Sequence, residues 1–193
     1  FHFGPGNDMM ALDKSVDALR QAEQMRDTQD FEAALESYNQ ALSELPPEKT
    51  EARRELELAR AYAKMREGDI VEAMTDMQSL LQDISNDPSA KEIERRTRSQ
   101  LARTQYYIAW IMRLERAKTA EWQEPIEESR QNFRLLAEDA LKAGDKQLAE
   151  KYQKDLETAI YLQRMDLKDL IGLPLPKEGK GAAQKGNVGE KMQ

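Results

Sequence analysis

The chain has 193 residues, 39% hydrophobic, 34% charged and 6% aromatic, and its 29 Lys and Arg against 36 Asp and Glu leave a formal charge of -7. The absence of cysteine excludes disulfides, thiolate metal sites and a cysteine nucleophile, and the single histidine, His2, leaves no imidazole for a metal cage or a Ser-His relay. Net acidity argues against nucleic acid or anionic lipid as a partner, and no run approaches the roughly 18 consecutive apolar residues that would span a bilayer, so no membrane insertion is expected.

In chain order, residues 1–7 (FHFGPGN) carry Gly and Pro without periodicity and read as a flexible lead-in. Because the first residue is Phe1, the chain reads as processed or truncated, and a cytoplasmic location and export after processing both stay open. From Asp8 to about Asp169, apolar residues recur at three- and four-residue spacing with few β-branched runs, which predicts helix almost throughout. The breaks are Thr28-Gln29-Asp30, Pro46-Pro47, Gly68-Asp69, Asn86-Asp87-Pro88, Glu124-Pro125 and Gly144-Asp145. At each, proline stops or starts a helix, glycine takes a left-handed cap, or Asp and Asn accept the first free amides. The expectation is an all-α fold of about seven helices, near 8–27, 30–44, 48–66, 69–84, 89–119, 125–143 and 145–169. Short connections make sequential helices antiparallel hairpins, about 8–45, 48–85 and 89–143. Residues 172–193, rich in Gly, Lys and Pro, read as a disordered tail whose Leu173-Pro174-Leu175-Pro176 either docks back on the last helix or serves as a short extended ligand.

Self-similarity runs through the second, fourth and sixth helices. Phe31, Ala34, Tyr38 and Ala41 are spaced three, four and three apart, as are Ile70, Ala73, Met77 and Leu80, and again Ile126, Ser129, Phe133 and Leu136. A small residue at the second position lets a neighbouring helix approach, and the large residues around it fill the gap. One hairpin alone leaves an apolar flank bare, so stacked hairpins bury a continuous core. FEAALESYNQALSELPP, ending in Pro46-Pro47, and the Leu58-to-Tyr62 run followed by Gly68-Asp69 resemble the tetratricopeptide repeat family. The third repeat, beginning Leu101-Ala102-Arg103, has an overlong first helix. The resemblance implies a right-handed superhelix of three hairpins, with the helix at 145–169 as a cap over one domain spanning 8–171.

The same resemblance implies that the first helix of each hairpin lines a concave groove that binds a segment of another protein. With Ala22, Ala59 and Ala102 as the close-packing residues, the groove positions are Val16, Leu19, Glu23 and Arg26, then Arg53, Leu56, Arg60 and Lys64, then Arg96, Ser99, Arg103 and Tyr107. From these, Arg53, Arg60, Lys64, Arg96, Arg103 and Tyr107 are the candidate partner-binding residues. Local charge agrees. Residues 89–118 hold eight Lys and Arg against three acids, whereas residues 1–88 hold nine against nineteen. Guanidinium groups fork onto carboxylates, so an acidic partner segment is the expected ligand. Leu19 and Glu23 stand where the family's carboxylate clamp for chaperone tails has Lys and Asn, which argues against that ligand. The competing reading is that these arginines pair with neighbouring acids, as Arg54 would with Glu51 or Glu57.

On the long helix at 89–119, one stripe runs Ile93, Thr97, Leu101, Thr104, Ile108 and Ile111, and a second runs Arg96, Arg103, Tyr107, Trp110 and Leu114. Apolar character on most sides of its lower half predicts burial there; an overhanging flank would instead support self-association, the alternative function for the chain. Catalysis is not expected. Glu127-Glu128 and Glu138-Asp139 are adjacent and face different directions, no helix carries the Glu-x-x-His of a carboxylate metal site, and Gly179-Lys180-Gly181 opens no helix. No cofactor or metal is therefore expected.

Overall fold

The computed structural model describes residues 17, 18, 20, 21, 24, 25 and 28–173. The lead-in at 1–7, the tail from 174 onward, and Val16, Leu19, Ala22, Glu23 and Arg26 lie outside the described residues. Among those described, the fold is all-helical: α1 (Phe31–Glu44), α2 (Thr50–Glu67), α3 (Ile70–Ile84), a 3-10 turn (Pro88–Ala90), α4 (Lys91–Leu114), α5 (Thr119–Lys142), α6 (Lys146–Arg164) and α7 (Leu167–Ile171). Residues 17, 18, 20, 21, 24 and 25, which precede α1, are helical. This is the all-α class and approximate helix number expected from periodicity. The chain divides into two compact units between Thr97 and Arg98, inside α4.

In the first unit, α1 packs against α2, and α2 against α3. Asp30 caps α1 by accepting a hydrogen bond from the Ala33 amide at 3.2 Å. Phe31, Ala34, Tyr38 and Ala41 are buried, as are Ala73, Met77 and Leu80 on α3, whereas Ile70 is only half-buried. Ala34 and Ala73, the small members of the two runs, expose no surface at all; side chains of that size permit the close helix approach the spacing implies. Arg66 is also buried. It donates to the Tyr62 hydroxyl at 3.1 Å and lies 4.8 Å from the centre of the Phe31 ring, which meets Tyr62 edge-on.

The α2–α3 turn shows why the sequence marks it with glycine. Gly68 has φ 110°, and the Asp69 amide reaches back to the Lys64 carbonyl at 3.0 Å, satisfying a carbonyl that the helix end would otherwise orphan. Beyond α3, Asp87 accepts from the Ser89 amide at 3.0 Å and opens the 3-10 turn, seating Ala90 against Leu58, Leu80, Ile84 and Ile93.

In the second unit, the end of α4 and the start of α5 differ from the expected boundaries of 119 and 125. The helix closes at Leu114 through a left-handed residue that is not glycine: Arg116 has φ 61°, its amide donates to Arg113, and the Ala117 amide donates to Met112 at 2.8 Å. α5 then begins at Thr119, with the Glu121 carboxylate accepting the Lys118 amide at 2.8 Å. Pro125 is buried inside α5 rather than starting it. Lacking an amide hydrogen, it forgoes one bond to the carbonyl of Glu121, a loss the second turn of a long helix absorbs.

Gly144, with φ 79°, turns α5 into α6, and Asp145 caps α6 through the Leu148 amide at 2.9 Å. The helix expected at 145–169 breaks after Arg164: Met165 is extended, and α7 restarts at Leu167. The Arg113 guanidinium donates to the carbonyls of Leu162 and Met165 and lies 4.6 Å from the centre of the Trp122 ring. A cation thereby meets the negative end of α6 and satisfies terminal carbonyls that have no helical partner. The core of this unit includes Ala102, Trp110, Ile126, Phe133, Tyr152 and Leu162. Ser129, the small member of the third run, is completely buried and donates to the Ala102 carbonyl at 2.7 Å, a contact that requires α4 and α5 to approach closely. Beside it, Asn132 donates to the buried Gln105 at 3.0 Å, and Gln105 donates to Glu128 at 2.6 Å.

Candidate functional site

The cations predicted to form a binding face fall in both units. Arg53, Arg60 and Lys64 lie on α2 and Arg96 in the first-unit part of α4, while Arg103 and Tyr107 belong to the second unit. All six are half-buried. Leu56, assigned to the same face, is only 3% exposed and belongs to the interior; Ala59, assigned to close packing, is half-buried, whereas Ala102 is fully buried.

In the first unit, the structure brings Arg60 and Lys64 together on one acceptor. Asp76 of α3 lies 3.4 Å from the Arg60 Nη2 and 2.9 Å from the Lys64 Nζ, and Glu72 lies 3.3 Å from the same Nζ. The i, i+4 spacing sets the two cations on one face of α2, and the i, i+4 spacing of Glu72 and Asp76 sets the acids on the facing side of α3. Arg60, Asp76, Ser79, Leu80 and Asp83 line a shallow polar cleft with Glu57. Burial pushes the Glu57 carboxyl above the usual carboxylate range, with Asp83 and Asp76 reinforcing the shift and Arg60 and Arg53 opposing it.

Arg53 is not part of that cluster. Its guanidinium donates to the Leu45 carbonyl at 3.1 Å and so ties α2 to the end of α1. Arg96 donates through Nη1 to both oxygens of Glu55, at 2.7 and 2.8 Å. Arg54 pairs with Asp87 at 2.6 Å rather than with Glu51 or Glu57. Hydrogen bonds from Ser89 and from Arg54 lower the Asp87 carboxyl to about 2.

In the second unit, Arg103 lies 3.7 Å from Asp155 of α6. Burial raises the Asp155 carboxyl, against the pull of Arg103 and Lys151. Tyr107 is half-buried, and its neighbour Tyr106 sits 5.9 Å from Trp110, ring centre to ring centre, with burial raising its hydroxyl to about 12.

The residues that sequence reasoning missed are the acids Glu55, Glu72, Asp76 and Asp155. Arg60 and Asp76 are separated by 16 positions and Arg96 and Glu55 by 41, so neither pair leaves a short-range signature. What was available was the paired i, i+4 spacing on helices flanking the Gly68-Asp69 turn, since a tight turn between antiparallel helices sets such faces opposite each other.

Among the described residues, no group of three or more acidic or imidazole side chains has the arrangement of a metal site, and no helix is long and apolar enough to cross a membrane. No protein-family model, curated protein or solved structure matches the chain.

Proposed function

We propose that the chain is a non-catalytic interaction adaptor of the tetratricopeptide type, its hairpins stacked as a right-handed superhelix, which uses cations on its first-helix positions to bind an acidic segment of a partner protein. The observation that carries this reading is the pair Arg60 and Lys64, adjacent on one face of α2, partly open to solvent and already liganded by a carboxylate. Two adjacent cations that share one carboxylate have the spacing to ligate a different carboxylate in its place. Arg53 and Arg96 are the other candidate cations of the first unit, held by the Leu45 carbonyl and by Glu55, while Arg103 and Tyr107 are the corresponding residues of the second.

Affinity capture with the full chain as bait, followed by mass spectrometry, tests the proposal. Arg60→Glu combined with Lys64→Glu is expected to lose the captured partners while far-UV circular dichroism stays unchanged; Arg103→Glu tests the second unit separately. Unaltered capture by both variants overturns the basic-face reading. The alternative, a structural subunit that self-associates through α4, draws less support. The large apolar side chains most exposed among the described residues are Val71, Leu135, Leu141, Tyr161, Ile171 and Leu173, none of them on α4. Light scattering that reports a dimer dissociated by substitutions on α4 would favour it instead.

A further inference from the structure

We infer that Asp76 is an internal competitor for the Arg60–Lys64 pair, a self-ligand that an acidic partner segment must displace; the inference rests on the adaptor reading and specifies how that site is regulated. Three features support it. A single carboxylate of α3 lies against two cations of α2, at 3.4 and 2.9 Å, which is the arrangement an incoming carboxylate would have to reproduce. All three side chains retain between 21% and 27% of their surface, so the contact is open to exchange with solvent and with a ligand. Glu72, at 71% exposure, reaches the same Lys64 ammonium from the solvent side and offers a second, weaker internal ligand.

Partly exposed ion pairs are individually weak, so thermal motion opens them on the time scale of side-chain rearrangement. Apparent affinity for an external carboxylate is the intrinsic affinity reduced in proportion to the small fraction of molecules in which the cations are unoccupied. The pair therefore sets a threshold: isolated carboxylates lose to Asp76, whose effective concentration is high because α3 carries it, whereas a run of acids presenting several carboxylates at once can win. This selects acidic segments over single acidic residues.

The test is binding of a fluorescein-labelled oligoglutamate peptide, followed by fluorescence anisotropy at low ionic strength, to the full chain and to four variants. Asp76→Asn is expected to tighten binding about two- to five-fold, the range that weak ion pairs of this kind allow, and Glu72→Gln to tighten it by less. Glu51→Gln, which removes an equal charge from an exposed position of α2 away from the two cations, controls for bulk electrostatics. Arg60→Gln combined with Lys64→Gln is expected to abolish the response. If the double variant loses binding while Asp76→Asn gains no more than Glu51→Gln, the self-ligand idea is overturned and the adaptor reading survives. If the double variant binds as the unaltered chain does, or no protein binds the peptide, the basic-face reading fails and the self-ligand falls with it. Circular dichroism on each variant separates loss of binding from loss of fold, and Glu72→Gln, changed at an exposed side chain, keeps the comparison decisive should Asp76→Asn unfold.

Discussion

Replacing Arg113 by alanine probes the device that terminates α6. The side chain is 9% exposed, donates to the carbonyls of Leu162 and Met165, and stacks on Trp122. Each hydrogen bond from a charged donor contributes about 1.5 kcal/mol or more, and the stacked ring adds roughly 1 kcal/mol. Against this stands the desolvation of the guanidinium, which lowers its pKa and is opposed by Asp166; truncation relieves that cost but leaves two carbonyls without the donor. The expected net loss is about 3 kcal/mol, within the range seen when one partner of a buried charged contact is removed. Arg113→Lys can point its ammonium at only one carbonyl at good geometry and should recover less than half of the loss. Urea unfolding followed by tryptophan fluorescence is the appropriate assay, because both tryptophans of the chain, Trp110 and Trp122, lie in the second unit. A loss under about 0.5 kcal/mol, the level of an ordinary surface substitution, would refute the idea that this cation closes α6.

Other perturbations follow from the same geometry. Arg116→Gly removes a side chain from a left-handed position and should raise stability by about 0.5–1 kcal/mol after the entropy of glycine is counted, read as a higher melting temperature; a lower one would mean that the Arg116 side chain makes a compensating contact. Ser129→Ala should cost about 1 kcal/mol, for the lost hydrogen bond to Ala102, whereas Ser129→Leu should cost roughly 2–3 kcal/mol by overfilling the α4–α5 contact; equal effects in chemical denaturation would contradict close approach at this point. For Glu57, burial lifts the folded-state pKa above the ordinary 4.5 of a glutamate carboxyl. The folded state therefore holds this proton more tightly than the unfolded chain does, and the stabilisation is complete below 4.5 and lost as pH rises through the folded-state value. Glu57→Gln should thus melt at a higher temperature than the unaltered chain at neutral pH, the gap closing as pH falls through the folded-state value and gone below 4.5; a gap constant with pH would rule out burial of the ionised carboxylate as the cause.

Local patterns in the chain are enough for the helical class, the 3-4-3 spacing that buries Phe31, Ala34, Tyr38 and Ala41, and the turns at Gly68-Asp69 and Gly144-Asp145. These are local: periodicity, a left-handed glycine and a capping carboxylate act within a few residues of one another. The α4–α5 break left no such mark, because Arg116 occupies the position where glycine would have announced it, while Pro125 advertised a helix start six residues too late. The end of α6 was equally silent, since Met165 is neither glycine nor proline and its carbonyl is satisfied by Arg113 from a distant helix. The candidate binding face divides the same way. Spacing alone put Arg60 and Lys64 on one side of α2, but only the packing of α3 against α2 decided that Asp76 would sit between them, because ion pairing across helices depends on where whole elements dock and not on the residues beside each charge.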